Sequence, residues 1–285
     1  MAKEPEAEQW TKIISSKQHL LDLHLRDVYR YRDLIRMFVK RDFVVQYKQT
    51  ILGPLWYLIQ PILSSIIYIF IFSNLANIGT DGIPPMLFYF GGTMLWTYFT
   101  SCLSETSNVF VNQQSIFSKV YFPRLTVPIS IALGLLIKLL IQAFLLLAFY
   151  IYFVAKGASV RPSIFVFLIP LVILWVGSLG VSIGLIISSL TTKYRDLRLL
   201  VGFGLQLAMY ATPVVYPISE APKKLLWVFY ANPMSAPMEL FRIFAYRAGN
   251  VPLDMLITSL VISALCFFFG LVLFVKNERS FVDVI

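Results

Sequence analysis

RDFVVQYKQTILGPLWYLIQP, residues 41–61, joins two kinds of chain in one run. Its first half is charged and amphipathic. Its second half opens an apolar stretch that carries a Trp, a Tyr and a Gln. A polar aqueous surface therefore meets a hydrophobic span within about three helical turns. Upstream, Val28, Tyr31, Leu34, Ile35, Phe38 and Val39 recur at three-to-four spacing, with Arg30, Arg36, Lys40 and Arg41 between them. That spacing predicts one amphipathic helix over residues 26–49. A basic amphipathic helix directly before a span is expected to lie in the headgroup plane. Downstream, Gly53-Pro54 opens a first span over residues 54–75, since Pro is tolerated in a first helical turn.

The composition extends this reading to the whole chain. Of 285 residues, 58% are hydrophobic and 14% charged, and the mean hydropathy is +0.74. A soluble domain carries roughly 45–50% apolar and about 25% charged residues, so this is an integral membrane protein. The apolar runs are about 20 residues long without two-residue alternation, which favours helices over a barrel. The expected fold is all-α, with six transmembrane helices, an N-terminal amphipathic interfacial helix, and short re-entrant helices before the last span. The spans are expected at residues 54–75, 86–107, 126–154, 163–189, 199–216 and 253–275. Between the last two, Pro213, Pro217, Pro222, Pro233, Pro237 and Pro252 break the chain into segments too short to cross. The expected organisation is a polar segment over 1–25, the interface helix over 26–52, the permease domain over 53–275 and a cytosolic tail over 276–285. No short apolar core with a small-residue cleavage site occurs in the first 50 residues, so the first span is expected to direct insertion.

Charge placement sets the topology. Of 24 Lys and Arg residues, 17 fall before the first span, in the 108–124 and 189–198 loops, and in the tail; the opposite loops hold 6. Both termini are therefore expected in the cytoplasm of a bacterial inner membrane, and the net charge of +9 implies no nucleic-acid partner. The remaining cation, Lys138, sits inside the third span, one turn from Gln142. A charge at that depth costs about 2.5–3.5 kcal/mol on insertion scales, so Lys138 is expected to face protein or water.

Little in the chain suggests catalysis. There is no glycine-rich phosphate loop ending in Lys-Ser or Lys-Thr, no zinc-protease helix motif, and only His19 and His24 as histidines. Cys102 and Cys266 lie in apolar runs and suggest packing rather than a metal site. The spans are nearly free of carboxylates, Glu105 being the clearest exception. An uphill mover of this composition would draw its energy from another subunit or from an ion gradient, and the scarcity of carboxylates in the spans disfavours the gradient.

The segments RDFVVQYKQTILGPLW, DGIPP, KVYFPRLTVP, KYRDLR, ATPVVYP and NPM followed by FR occur in that order along the chain. From about residue 27 to 245 the sequence resembles the type-2 ABC permeases that export polysaccharides. The resemblance implies a homodimer paired with two copies of a separate nucleotide-binding ATPase, which would carry ATP and Mg; no cofactor is expected in this chain. It implies a lipid-linked O-antigen polysaccharide as cargo, with membrane lipids as surroundings. Teichoic acid or capsule export is the alternative within the class, and a membrane enzyme of glycan assembly the alternative outside it. In this family an acidic residue is usual near Lys138, and the departure leaves the role of that position open.

Aromatic and polar side chains on one helical face suit a conduit for sugars, which present apolar C–H faces and many hydroxyls. Trp56, Tyr57, Gln60 and Ser64 share a face of the first span, and Gln206 and Tyr210 share one on the fifth; both stripes are expected to line the pore. Helix–helix packing remains the other reading of each stripe. Arg36, Lys40 and Arg41 of the amphipathic helix are expected to couple to the ATPase, together with the short coupling helix that the resemblance implies around Lys119, Tyr121, Phe122 and Arg124. Arg195, Arg198 and Lys138 are the expected gating or lipid-headgroup residues.

Overall fold

The structure, a computed structural model, describes residues 25–48, 51–113, 122–191 and 197–282. Every regular element among them is helical. The interface segment forms α1 (Leu25–Arg30) and α2 (Arg32–Tyr47). The single helix expected over 26–49 is thus divided at Tyr31, whose φ of −89° and ψ of 20° leave the helical region. The first span forms α3 (Trp56–Tyr68), continued by a π-helical segment, Ile69–Leu75. Next come α4 (Pro85–Ser107), the short α5 (Val109–Asn112) and α6 (Thr126–Ala155). A 3-10 turn, Ile164–Leu168, leads into α7 (Ile169–Thr191). The chain closes with α8 (Leu197–Tyr210), α9 (Leu226–Ala231), α10 (Ser235–Tyr246) and α11 (Leu253–Val282).

Four of these are long and apolar enough to cross a membrane: Trp56–Leu75, Thr126–Ala155, Ile164–Thr191 and Leu253–Lys276. The helix α4 has the length but is richer in Thr and Ser, because it is the axis of the bundle. Tyr89, Phe88, Phe90, Met94 and Leu95 are fully buried on it, so most of its surface meets protein instead of lipid. Its closest neighbour is α7. A Cβ added at Gly180 would lie 2.7 Å from the Phe99 carbonyl oxygen, and one at Gly184 would lie 2.8 Å from the Leu103 carbonyl oxygen. Small residues at these positions let the two backbones approach, the usual source of helix association in a lipid environment. The run Gly180-Val181-Ser182-Ile183-Gly184 has the spacing of a hydrolase nucleophile elbow. It lies inside a helix instead of at a strand-to-helix turn, and its Ser182 hydroxyl donates to the Ser178 carbonyl at 2.6 Å.

The fifth expected span, 199–216, ends early. The helix α8 stops at Tyr210; its 14 residues reach about 21 Å, short of a hydrocarbon core of about 30 Å. Pro213 explains the stop, because it lacks an N–H and disfavours helix at the residue before it. The carbonyls released there find partners in the short helices. Asn232 Nδ2 donates to the Ala211 carbonyl at 2.9 Å. Arg242 Nη2 donates to the Pro213 carbonyl at 2.6 Å and the Val214 carbonyl at 3.3 Å. Arg242 also pairs with Glu239 at 2.7 Å, and its guanidinium lies 3.9 Å from the Phe88 ring centroid. Both charges are buried, at 1% and 2% exposure. Burial pushes the Glu239 carboxyl above its ordinary range, while Arg242 beside it pulls the other way. The broken stretch is thus a folded cap on α8 and α4. The 77–84 loop joins this cap through Ser219 Oγ, which donates to Asp81 Oδ1 at 2.7 Å.

At the other end, the apolar face of α1 and α2 rests on protein. Val28, Ile35 and Phe38 are buried in one cluster with Val109, Phe110, Phe122, Leu125, Leu185 and Phe274. Tyr29, Met37, Val44 and Val45 stay exposed. Much of the apolar stripe expected to lie against lipid is therefore seated on the ends of α5, α6, α7 and α11, because those ends offer an apolar surface close by.

Candidate functional site: a polar cleft between apolar helices

Three helices turn a polar row toward one cleft of about 430 Å³, a size ordinary for small-molecule sites (about 300–1,000 Å³). From α3 come Tyr57, Gln60, Ser64 and Tyr68; from α4 come Thr93, Thr97, Ser101 and Glu105; from α6 come Lys138 and Gln142. Steps of three and four residues keep each row on one helical face. Trp96 lines the wall, and Met209 is the contribution of α8, held by Tyr68, whose hydroxyl lies 3.8 Å from its sulfur. A second hollow of about 200 Å³ shares Glu105, Leu135 and Lys138 with the first, then continues to Asp42 and Phe43 of α2 and Gln113. The two hollows thus lie side by side, the outer one reaching the interface helix and the inner one the bundle.

The first turn of α3 owes its place to a proline. In a regular helix the Tyr57 carbonyl would accept the N–H of residue 61. Pro61 has none. Gln142 supplies the missing donor: its Nε2 lies 2.9 Å from the Tyr57 carbonyl. Lys138 Nζ sits 4.8 Å from the Tyr57 ring centroid, a cation–π distance. Thus α6 grips α3 at one residue by two contacts, and Lys138 faces protein and the cleft. Gln142→Leu is expected to lower stability by about 1–3 kcal/mol, the cost of an orphaned buried carbonyl. A thermal melt in detergent reads this; an unchanged midpoint would mean that water replaces the amide.

The other expected site residues are placed as follows. Trp56 is 51% exposed and lies outside the cleft. Gln206 and Tyr210 are exposed on α8 and do not line the cleft of their own chain. Arg36 pairs with Asp33 at 3.3 Å on the open surface, and Lys40 shares with Arg36 a shallow groove against Leu133 and Ile137 of α6. Arg41 pairs with Asp42 at 2.8 Å and lies over the Phe38 ring. Phe122 is buried with its ring centroid 5.9 Å from that of Phe38, which ties the second loop to α2; Arg124 follows it, half-exposed. Arg198 lies in the first turn of α8. Lys119, Tyr121 and Arg195 lie outside the described residues.

Three features escaped sequence reasoning. The α4 row was legible as Thr93, Thr97, Ser101 and Glu105 at intervals of four. The Gln142 contact had half a signal, Pro61 inside a helix. The Glu239–Arg242 pair had a full one, opposite charges three apart on an apolar helix. Among the described residues no cluster of three or more His, Cys, Asp or Glu could hold a metal, and both cysteines are free.

The family model for ABC-2 type transporters matches residues 33–246, which takes in α2 through α10. The chain belongs to the ABC-2 type transporter family. This ABC-2 chain is a multi-pass membrane protein and a transport subunit, of a kind that works with an ABC ATPase. It is 26% identical over 260 residues to an O-antigen export system permease protein RfbA of Klebsiella pneumoniae, covering 89% of this chain and 95% of that protein. A protein of the same description from Myxococcus xanthus is 24% identical over 265 residues, covering 92% and 98%.

Proposed function

We propose that the chain is the permease subunit of an ATP-driven exporter that moves lipid-linked O-antigen polysaccharide across the bacterial inner membrane. The observation that carries this reading is the polar, aromatic cleft cut between apolar helices, a lining suited to sugars and unsuited to acyl chains. The O-antigen export permeases that the chain resembles along nearly their whole length support the cargo.

In this reading six segments cross: α3 with its π continuation, α4, α6, residues 164–191, α8 extended by the 211–216 turn, and α11. The short helices α9 and α10 are re-entrant and form the periplasmic gate; the Lys and Arg bias supports both termini in the cytoplasm. Two copies pair through the faces that bear α3 and α8, so that Trp56, Gln206 and Tyr210 come to line a shared path with Tyr57, Gln60 and Ser64. Two ATPase subunits, holding ATP and Mg, bear on α2 through Arg36, Lys40 and Arg41 and on the 119–124 loop. The force passes from α2 through Gly53, whose left-handed φ of +50° favours glycine, into α3. Arg195 and Arg198 meet the lipid-linked phosphate near the cytosolic side, and Lys138 receives it deeper in the cleft.

Removing the chain is expected to leave lipid-linked O-polysaccharide in the cytoplasmic leaflet, and purifying it is expected to bring down an ABC ATPase. Polymer reaching the periplasm undiminished without the chain would overturn the reading. Modification of lipid-linked sugar by the purified chain alone would mark a glycan-assembly enzyme instead.

A further inference from the structure

We propose that the α4 row is a binding track for an uncharged, hydroxyl-rich saccharide segment, with Glu105 as its specificity-determining residue. This rests on the export reading above and adds which wall holds the sugar and which polymers it refuses. Thr93, Thr97, Ser101 and Glu105 line the cleft. Twelve residues of helix place the first and last about 18 Å apart along the axis, so the row suits an extended chain. Thr97 and Glu105 are exposed and Ser101 is half-exposed, while Thr93 at the inner end is buried with its hydroxyl on the Tyr89 and Phe90 carbonyls.

The opposite wall is complementary. Gln60 offers both donor and acceptor, Ser64 a hydroxyl and Tyr57 a ring, while Trp96 adds a second ring from α4 itself. Sugar hydroxyls both donate and accept, so they match Ser, Thr and Gln in either sense, and a carboxylate accepts from a pair of them. Acyl chains would leave these groups unsatisfied and an acidic group in hydrocarbon. The charge balance decides the class of polymer. Glu105 and Lys138 both line each of the two hollows, and Asp42, paired with Arg41, lines only the outer one, so the inner hollow carries one charge of each sign. A polyphosphate or polyuronate chain would meet Glu105 as a like charge at every repeat.

The test uses thiol labelling in the intact exporter. Cys102 is fully buried, so S101C in a C266A background offers one accessible thiol in the cleft. Inverted membrane vesicles are prepared from cells that make the lipid-linked glycan and from cells blocked at its first sugar transfer. A negatively charged methanethiosulfonate is the probe. Labelling is expected to be about fivefold slower where glycan is present, the protection being 1 + [L]/Kd at a mostly filled site. In the same assay E105K is expected to abolish the protection. Equal labelling in a variant that still exports overturns the track and leaves the export reading standing. No labelling in either vesicle means that a second copy of the chain fills the cleft, which also overturns it. Export that persists without the chain removes the reading beneath both. T97C carries the same test if S101C fails to accumulate.

Discussion

Arg242→Ala is expected to be the most damaging single change in the molecule. The substitution leaves the Glu239 carboxyl buried without its partner 2.7 Å away. It also strips the Pro213 and Val214 carbonyls of their donor and uncovers the face of Phe88. Breaking one side of a buried ion pair costs about 3–5 kcal/mol. Stabilities of single domains are only about 5–15 kcal/mol, so the variant should accumulate poorly and melt far below wild type. The pair's net worth is a separate quantity, because replacing both charges can be neutral. The double variant Glu239→Gln, Arg242→Met should therefore recover part of the loss, short of all of it, since the two carbonyls stay orphaned. A wild-type melting midpoint for Arg242→Ala would show that the cap on α8 does not depend on this side chain.

The second large effect is expected at the seam of α4 and α7. Gly184→Leu would place a Cβ 2.7 Å from Thr106 Cβ and 2.8 Å from the Leu103 carbonyl oxygen. A flexible side-chain end could swing aside, but a helix carbonyl cannot, so the helices must separate. Overpacking typically costs about 1–3 kcal/mol and occasionally more. Here the displaced partner is the central helix, so the loss should reach the upper end and extend to the cleft that α4 lines. Gly204→Ala is the matched control: a Cβ there meets nothing within 4 Å, and Gly→Ala inside a helix should gain up to about 1 kcal/mol. Comparing the two melts separates loss of close approach from loss of glycine itself. If Gly184→Leu melts like wild type, the helices are not held at the spacing described.

The cleft and the cap bear on transport differently. Pro213 ends α8, and the cap takes up the released carbonyls through Asn232 and Arg242. The cleft sits beside the proline of α3, where Gln142 stands in for a missing backbone donor. In both, a proline removes a backbone hydrogen bond and a distant side chain makes good the loss. A membrane interior offers no water to do so, which is why such repairs come from the protein and why they couple the interrupted helix to its neighbour.

The sequence by itself determined the helical membrane class, the positions of the apolar runs and the polar break before the last run. Those properties are local: run length, proline and charge act within a few turns, and a bilayer requires each helix to satisfy its own backbone. It also marked Tyr57, Gln60, Ser64 and Lys138, since polar groups in an apolar run stand out without any partner. Only the tertiary structure decided which helices meet. Residues Tyr57 and Gln142 lie 85 apart in the chain, and nothing local sets that pairing. In spans that are apolar all round, periodicity singles out no face, so the enclosure of α4 and the seating of α2 on Phe122 followed from packing. The interface helix, with its junction to the first span at 41–61, was legible from its charges. That its apolar face is seated on protein was settled by the apolar surface the folded bundle presents to it.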